Sequence, residues 1–559
     1  MIILPDRKKK KILVTAALPY ANGPLHLGHI RSTYLPADIY ARFHRLIGND
    51  ALYICATDEH GTPIVAAAEK AGKTPQEFVD YYHEKDKKEF AALGFQMDIF
   101  HRTSSKENRE LTQHFFNRLN EAGHIYSKEV EQPYCEKCKR FLPDRFVVGT
   151  CPNCKSEKQY SDYCDACSST IRSGEIIDPK CIVCGSKPVP RTSKHYFFRL
   201  ATFSQKLKTW LTTNKNLQKE VVNYVVNWID NGLVDWDISR DLDWGVPVPG
   251  EQGMVFYVWF DAPIGYASST IALTPKWEEY WKGNAEDTEL VHFIGKDIIY
   301  HHFLFWPAML MGVGEGFQPP HKEAVRGYLN LEHRKFSKSK NWFVSIEEYL
   351  KVFPPDYLRY YQTAFTGHNV QDADFVWKEF QEKVNNELVA NIGNFVHRTL
   401  VLDKKLCASK IPAPQDLEAD DKKLLEEIAK SKAKVEQLIL EFNLKEGQEE
   451  CLRLSSEFNK YLSSREPWKE KDAKRVANCI YVCTRGISAL SVLLYPFLPF
   501  SCEKLAKMLG IPKEKLVWDN ADKELLVPGT ALGDIAPLFV KVTDDQINEQ
   551  EAKLGTPPA

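Results

Sequence analysis

The sequence predicts an α/β protein whose parallel sheet is split by a metal-binding insertion and followed by a helical region. Three observations carry this prediction. Short β-rich runs alternate with longer helical stretches over residues 11–122, cysteines concentrate within residues 133–190, and apolar residues recur at helical spacing after about Trp377. Alternation of strands and helices is typical of βαβ units and a parallel sheet. Strand-like sequence returns at 254–260 and 290–294, so we expect the insertion to interrupt the sheet.

Composition and charge exclude several classes of protein. The 559 residues, at about 150 per domain, are enough for several domains, and 43% hydrophobic with 26% charged residues excludes a disordered or collagen-like chain. The net charge of −2 excludes a polycation, so any nucleic-acid contact must use local basic patches. The longest nearly uncharged apolar stretch, 487–500, is too short to span a bilayer. We expect a soluble, cytoplasmic protein that does not contact a membrane.

The N-terminal sequence predicts the first strand, helix and second strand. The basic run 7–11 followed by the apolar run 12–18 imitates a secretory signal, but the apolar run is short, ends in a turn and lacks a small-residue cleavage pattern. A buried strand over 12–15 is the better interpretation. A helix over 30–46 and a second strand over 51–55 complete the first βαβ unit.

A histidine pair stands where the first strand leads into the first helix. The turn Asn22-Gly23-Pro24 is followed by His26-Leu27-Gly28-His29. A helix N-terminus offers unpaired N–H groups to phosphate, the two imidazoles share a helical face, and Gly28 lets a flat base approach the backbone. The pattern therefore indicates a phosphate site. Two ordinary, partly buried histidines or a metal site are the alternatives for an isolated pair of this kind.

A second basic element follows about 300 residues later, at Lys335-Phe336-Ser337-Lys338-Ser339. Its lack of periodicity predicts a mobile loop whose ammonium groups could neutralise charge on a departing pyrophosphate. Taken alone, such a run is usually a solvated loop. The conjunction of the two elements favours chemistry on a nucleoside triphosphate.

An aromatic run over 256–260 is predicted to lie on a central strand. Alternation along that strand would place Tyr257 and Trp259 on one face and Phe256, Val258 and Phe260 on the other. Core packing is the default interpretation for any one of these side chains.

The region after Trp377 reads as helices. Two sets of apolar residues recur at helical spacing: Leu424, Leu425, Ile428, Val435, Leu438, Ile439 and Phe442, and then Ile480, Cys483, Ile487, Leu490 and Leu494. Residues 411–414 predict a connection between helices, and the polar stretch 544–559 predicts a tail.

Eight of the 14 cysteines fall in four C-x-x-C pairs within fifty residues. The pairs are Cys135/Cys138, Cys151/Cys154, Cys164/Cys167 and Cys181/Cys184. Eight thiolates suffice for two tetrahedral Cys₄ zinc sites, whose role would be structural because they leave no open coordination position. Disulfides or an iron–sulfur cluster are the less favoured alternatives, and the spacing does not fix which pairs combine. The other six cysteines are predicted to be buried thiols.

At this point the sequence resembles a known family. His26–His29 matches the HIGH signature and Lys335–Ser339 the KMSKS signature of class I aminoacyl-tRNA synthetases, with Phe336 replacing the commoner Met. The motifs at 17–23, 236–240, 256–266 and 293–297 are similar to the methionyl-tRNA synthetase branch, and the resemblance runs from about Lys11 to about Trp468. Arg326 stands where His is more usual, so we assign that position no role.

The resemblance implies a Rossmann-type catalytic domain split by a zinc-binding connective insertion, then an α-helical anticodon-binding bundle. The implied bounds are 1–122 and 246–328 for the catalytic halves, 123–245 for the insertion with two zinc knuckles, 329–385 for the KMSKS-loop and stem-contact region, and 386–559 for the anticodon-binding domain with its tail. A nested cysteine pairing is also implied, with Cys151, Cys154, Cys164 and Cys167 on one zinc and the outer four on the other.

The resemblance also implies roles for individual residues. His26, His29, Lys335 and Lys338 would be catalytic, and Gly28, Gly295, Asp297, Ser337 and Ser339 would bind ATP. Leu18, Tyr20, Trp259, Pro263, Tyr266, Ile298 and His302 would line the methionine side-chain pocket, with Asp58 pairing with the substrate ammonium. Asn394, Arg398 and Trp468 would read the anticodon; without the resemblance they are surface polar residues and a packed Trp. Asp58 could otherwise be a helix cap.

The implied reaction is a methionine–tRNA ligase reaction, in which L-methionine is activated with Mg²⁺-ATP and transferred to the terminal ribose of tRNA(Met), including the initiator. A hydrophobic pocket rejects homocysteine only modestly, so some proofreading is expected without a separate editing domain. No appended domain follows Leu554, which favours a monomer. The rivals are a synthetase for another amino acid, such as isoleucine, valine, leucine or cysteine, and a zinc-stapled RNA-binding protein without activity.

Overall fold

The computed structural model describes residues 9–143, 146–161, 164, 167, 169, 171, 175–338 and 340–558, and its fold class is the one the sequence predicts. A five-stranded, wholly parallel sheet has the strand order Lys322–Arg326, Thr288–Gly295, Lys11–Ala16, Asp50–Thr57 and Ile99–Arg102. The strands predicted at 12–15, 51–55 and 290–294 are confirmed as its three central members.

The central strand Lys11–Ala16 is buried on both faces, which accounts for its continuous apolar sequence. Ile12 and Val14 pack into one hydrophobic core, and Leu13 packs into the core on the opposite face. The crossover helix that follows begins at Leu27 and runs as Leu27–His29, a π-helical stretch Ile30–Tyr34 and Leu35–Leu46. The helix predicted from residue 30 therefore starts three residues earlier, with His26 as its N-cap.

Further helices surround the five-stranded sheet. Those before the insertion are Thr62–Lys70, Pro75–Ala92 and Lys106–Glu121. Those after it are Ile264–Leu273, Glu278–Trp281, the π-helix His301–Phe305 and Trp306–Val313. A small sheet joins Leu329–Leu331 to Arg334–Lys335 and Ala373–Phe375, and helices Ile346–Leu350 and Pro355–Thr363 follow the lysine loop.

The insertion has its own sheets. A four-stranded sheet has the order Trp236–Asp237, Val189–Phe198, Ile125–Cys135 and Arg140–Phe141, and a three-stranded sheet the order Gln159–Tyr160, Val147–Thr150 and Ile177–Cys181. Helices Ser204–Thr213 and Lys219–Asp230 complete it.

The prediction of a strand over 254–260 is wrong beyond Phe256. Val255–Phe256 pairs with Ser239–Arg240, and Val258–Asp261 is already helical, with the Ala262 N–H donating to the Val258 carbonyl at 2.8 Å. The rings of Phe256 and Phe260 stack with centroids 4.9 Å apart. Strand propensity of aromatic residues is a weak prior, and tertiary packing overrides it here.

The helical region is confirmed. Its helices are Trp377–Lys383, the π-helix Val384–Gly393, Asn394–Leu406, Ala419–Leu440, Leu444–Arg465, Ala473–Leu493 and Pro499–Leu509. Residues 411–414 connect two of them, as predicted. The predicted tail is wrong in its first part, because Asp544–Ala552 is a helix with Ile547 and Gln550 buried. Thr543 and Gln546 form a capping box at its start. A prediction based on overall polarity does not use this signal.

Among the described residues, one helix, Ala473–Leu493, has the length and apolar composition that could cross a membrane, and 94% of its most apolar window is buried inside the protein. Core helices of soluble proteins have the same properties. The helix packs against its neighbours through residues such as Cys483, Ile487 and Leu490.

A buried ionic network joins the catalytic sheet to the helical region. Arg359 donates to the Asp38 carboxylate at 2.7 Å and to the carbonyls of Pro496 and Phe497 at 3.0 and 2.8 Å. Arg42 also reaches Asp38, at 3.2 Å, and all three charged side chains are buried. Because breaking a buried pair leaves an uncompensated charge, this network fixes the crossover helix relative to the bundle.

Candidate active site

One cavity of about 860 Å³ lies at the carboxyl ends of Lys11–Ala16 and Thr288–Gly295, where the strand order of the sheet reverses. Ligands of open α/β sheets bind at such switch points. Of the residues predicted from the sequence, the lining includes Leu18, Tyr20, His26, Gly28, His29, Asp58, Trp259, Pro263, Tyr266, Gly295, Asp297, Ile298, His302 and Lys335. Ser337 and Lys338 lie on the adjoining loop, and Ser339 is outside the described residues.

The histidine pair begins the crossover helix as a reciprocal cap. The His26 N–H donates to Nδ1 of His29 at 3.1 Å, and the Gly28 N–H donates to Nδ1 of His26 at 3.2 Å. The rings stack with centroids 3.8 Å apart. Burial, together with the smaller effect of the Lys338 ammonium, lowers the pKa of His29 to about 3. Burial likewise lowers the pKa of His26. Both rings are therefore neutral, and because Nδ1 accepts a backbone proton, each carries its own proton on Nε2.

The lysine loop reaches the turn that precedes the histidine pair. Lys335 lies on the strand Arg334–Lys335, and the N–H groups of Ser337 and Trp342 each donate to the other's carbonyl at 2.9 Å. The Lys338 Nζ lies 3.0 Å from the position that a Cβ on Gly23 would occupy. The Phe336 ring stacks on His26 at 4.6 Å between centroids. Two motifs 300 residues apart thus meet at one mouth of the cavity.

Asp58 brings a buried carboxylate with one unsatisfied oxygen to the cavity. Its backbone N–H donates to Pro19 and its carbonyl accepts from Ala21, both at 2.9 Å, so the residue is fixed beside the first strand's end. The side chain is buried, and Oδ1 has no hydrogen-bond partner. Burial raises the pKa of Asp58 well above its usual range, and the nearby Asp261 raises it further. An arriving ammonium would supply the missing partner.

The aromatic side of the cavity holds a neutral hydrogen-bonded pair. Nδ1 of His302 donates to the Ile298 carbonyl at 3.1 Å, and the Tyr266 hydroxyl lies 2.8 Å from Nε2 of the same ring. Burial lowers the pKa of His302 to about 4, so the ring is neutral and its Nε2 accepts the tyrosine proton. Trp259 stacks on His301 with centroids 3.6 Å apart. This wall suits an apolar, polarisable side chain such as a thioether.

Two of the residues that line the cavity, Gly28 and Gly295, are glycines. Gly295 ends its strand, and a Cβ there would collide with the carboxylate of Asp297. A Cβ on Gly28 would lie 3.2 Å from the Phe336 ring. Both glycines therefore occupy places where a side chain would intrude on the cavity or its wall.

The eight cysteines form two tetrads. Cys135, Cys138, Cys181 and Cys184 make one group and Cys151, Cys154, Cys164 and Cys167 the other, with all ligand atoms of a group within 4.8 Å of one another. This is the nested pairing that the resemblance implied. Sulfurs on a tetrahedral zinc at about 2.3 Å lie about 3.8 Å apart. The closest pairs here, at 3.4 to 3.9 Å, fit that tetrahedron.

The residues predicted to meet the anticodon share one surface of the helical region. Asn394 begins the helix Asn394–Leu406 and is exposed, and the Arg398 guanidinium lies 5.6 Å from the centre of the Trp468 ring. Trp468 is 43% exposed. It lies in the turn between two helices rather than at a helix start, because the next helix begins only at Ala473.

Sequence reasoning missed several residues around the cavity. His301 stacks on Trp259, Arg240 lines the wall, and the buried pair His60–Asp261, 2.7 Å apart, stands behind Asp58. Arg31 donates to the carbonyls of Gly327 and Phe365 at 3.0 and 2.9 Å and so ties the histidine helix to the lysine-loop region. The adjacency of His301 to His302 was the one available signal; the others depend on contacts across the fold.

This switch-point cavity, with a histidine pair and a lysine loop meeting at its mouth, defines a class I aminoacyl-tRNA synthetase. Residues 12–400 match the family model described as tRNA synthetases class I (M), and residues 411–558 match the anticodon binding domain of methionyl tRNA ligase. The chain belongs to the methionine–tRNA ligase family.

Individual relatives agree with this assignment. The chain is 45% identical to the methionine–tRNA ligase of Methanopyrus kandleri, over 97% of this chain and 82% of that protein. It is 44% identical to that of Parabacteroides distasonis, over 98% and 81% respectively. A Mycobacterium tuberculosis methionyl-tRNA synthetase in complex with methionyl-adenylate superposes with a TM-score of 0.79 at 26% identity, covering 95% of this chain and 99% of the other. The chain is thus an ATP-dependent methionine–tRNA ligase.

Proposed function

We propose that the cavity performs methionine activation with the residues assigned above. The methionine carboxylate, already ionised, attacks the α-phosphorus of ATP in line; the new P–O bond forms as the bond to pyrophosphate breaks. No general base is required, so the protein contributes position and charge. The adenylate then passes its methionyl group to the terminal ribose of tRNA(Met), including the initiator. Mg²⁺ would enter with ATP and offset phosphate charge.

The donors for this step meet at one mouth of the cavity. The Nε2–H groups of His26 and His29 would donate to phosphate oxygens, since both Nδ1 atoms are already engaged by backbone. Lys335 and Lys338 would supply positive charge from the adjoining loop, to which Ser337 and Ser339 also belong. Charge that develops on pyrophosphate in the transition state is stabilised by such preplaced donors. Gly28, Gly295 and Asp297 would leave room for, and bind, the adenosine.

Recognition of methionine would use one charge and one apolar pocket. The buried Asp58 carboxylate, whose Oδ1 has no hydrogen-bond partner, is the single observation that carries the assignment, because a buried acid with an unsatisfied oxygen favours a cationic group in the ligand. Leu18, Tyr20, Trp259, Pro263, Tyr266, Ile298 and His302 would surround the thioether. Homocysteine lacks only one methyl group, so we expect modest rejection in this pocket and some proofreading.

ATP–pyrophosphate exchange across the twenty amino acids tests the proposal. Exchange should depend on methionine and be much weaker with the other nineteen. Exchange driven by isoleucine, valine, leucine or cysteine would assign the pocket to another acid. No exchange with any amino acid would support the inactive RNA-binding alternative.

We also propose that each cysteine tetrad holds a structural zinc. We expect two zinc ions per chain by elemental analysis, because thiolate tetrads of this geometry match four-coordinate zinc. Cys164→Ser and Cys181→Ser should each bind one fewer ion and melt at a lower temperature. Cys407→Ser, outside both tetrads, should retain two. A wild-type content of one ion or none would contradict the ligand assignment.

We propose the domain bounds given above, with residues 386–559 as the anticodon-binding domain, including the helix Asp544–Ala552. Arg398→Ala and Trp468→Ala should each raise the KM for tRNA by about tenfold or more, because stacking on an unpaired base contributes about 1–3 kcal/mol. ATP–pyrophosphate exchange without tRNA reports whether each variant is folded. Steady-state aminoacylation kinetics then separate a higher KM for tRNA from a loss of folded enzyme. An unchanged KM in both variants would remove the anticodon assignment.

A further inference from the structure

A second cavity, of about 700 Å³, lies in the helical region. Three segments line it: 406–413, 470–477 and 528–529. Its rim is fixed by backbone pairing, since the Ile411 N–H donates to Thr530 at 2.9 Å and the Gly529 N–H donates to Ile411 at 2.8 Å. The rim is thus formed by the protein's own backbone, and the cavity is a depression that is more open to solvent than the first cavity.

The second cavity continues the surface that carries Arg398 and Trp468. The helix Asn394–Leu406 ends on its rim, two turns or about 12 Å after Arg398. The segment 470–477 begins two residues after Trp468. A strand of nucleic acid that crosses Arg398 and Trp468 therefore has a path into the cavity.

The free charge on the rim is positive. Lys410 and Lys471 are exposed and line the cavity, and within the described residues neither ammonium has an ion-pair partner. The one acidic lining residue, Glu470, is engaged as an acceptor from the N–H groups of Lys471 and Asp472 at 2.8 and 3.0 Å. Glu470 keeps its charge and lies 3.9 Å from the Arg475 guanidinium, which is outside the lining. The lining therefore carries a net charge of +1, from two lysines and one glutamate, and both ammonium groups can reach an anionic ligand.

The second cavity has an apolar floor. Ile411 and Val476 are buried and form part of this floor, with Pro412 and Pro528 beside them. The aliphatic side chains and proline rings offer an apolar surface on which a nucleobase can pack.

Resting on the proposed anticodon contact, we propose that the second cavity binds one further unpaired nucleotide of the anticodon loop, with its base on the apolar floor and its phosphates beside Lys410 and Lys471. Single-stranded nucleotides are held by this combination of stacking surface and positive charge. A peptide would need backbone partners along a groove, and the rim backbone is already paired with itself.

The test compares Lys410→Ala, Lys471→Ala and the double variant of the full chain with Lys276→Ala, an exposed lysine of the catalytic half. Binding of a tRNA(Met) transcript is measured across a range of salt concentrations. Each cavity variant should weaken binding about fivefold, and the slope of log affinity against log salt should fall by about 0.7 per lost phosphate contact. Lys276→Ala should change neither quantity.

A second arm identifies the nucleotide. Transcripts carrying an abasic residue at each unpaired loop position are bound to the wild type and to Val476→Asp, which places a charge on the floor. At one position the abasic transcript should bind both proteins equally, because the base–floor contact is absent in each. The proposal would be overturned if Val476→Asp weakened the binding of every abasic transcript by the same factor. It would also be overturned if the lysine variants behaved like Lys276→Ala while Trp468→Ala still weakened tRNA binding. If Trp468→Ala and Arg398→Ala also bind normally, the anticodon assignment itself fails. If a peptide binds at the cavity and tRNA does not, the cavity belongs to a protein partner.

Discussion

Lys338→Ala should lower the rate of ATP–pyrophosphate exchange by about 10²–10³-fold, the loss typical of removing one preplaced transition-state donor. The ammonium of Lys338 lies against the Gly23 turn and close enough to lower the pKa of His29, which places it at the phosphate side of the cavity. The role of Lys338 is separate from that of the aromatic wall that would hold the thioether. The KM for methionine should therefore stay nearly unchanged while kcat falls.

The matched control for this prediction is Lys340→Ala, two residues further along the same loop. Lys340 is exposed, and its side chain is not among those that meet the Gly23 turn. Its exchange rate should stay within about twofold of the wild type, as for most surface substitutions. Normal turnover in Lys338→Ala would remove that lysine from the catalytic step, and equal losses in both variants would point to general loop charge instead.

Asp58→Asn should lower kcat/KM for methionine by about 10²–10³-fold, because the substrate ammonium would then be buried without a counter-charge. The substitution keeps the shape of the side chain and the backbone pairs with Pro19 and Ala21. The matched control is Asp50→Asn, at the exposed start of the strand Asp50–Thr57 that precedes Asp58, and it should leave methionine use intact. Inhibition by methioninol, which retains the ammonium, should be lost in Asp58→Asn, whereas inhibition by a des-amino analogue should not change.

The same carboxylate gives methionine binding a pH dependence of known sign. Burial raises the pKa of Asp58 in the empty cavity, and the methionine ammonium favours its charged form. Binding therefore releases a proton wherever the empty site is protonated, and affinity should weaken as the pH falls through that raised pKa. Asp58→Asn should lose this dependence. A pH profile that is identical in the two proteins would show that Asp58 does not pair with the ammonium.

Local patterns were reliable where one short-range cause dominates. The strand Lys11–Ala16 is apolar at consecutive positions because both faces are buried, so its sequence predicts it without knowledge of its neighbours. The cysteine spacing predicted two metal-binding groups because few other structures need four C-x-x-C pairs. The run 255–261 misled, because aromatic residues serve a strand and a buried helical turn equally well, and only contacts with distant rings decide between them.

The sequence by itself determined the fold class, the family resemblance and the chemical inventory: two imidazoles at a helix start, a lysine loop, an acid after the second strand and eight thiols. These depend on residue type and spacing, which chain order records directly. Only the tertiary structure decided that the Lys338 ammonium meets the Gly23 turn, that Oδ1 of Asp58 lacks a partner and that His301 stacks on Trp259. It also decided that a second cavity with two lysines on its rim opens two helical turns from Arg398. Such contacts join residues far apart in the chain, and their formation depends on how whole elements pack rather than on any local pattern.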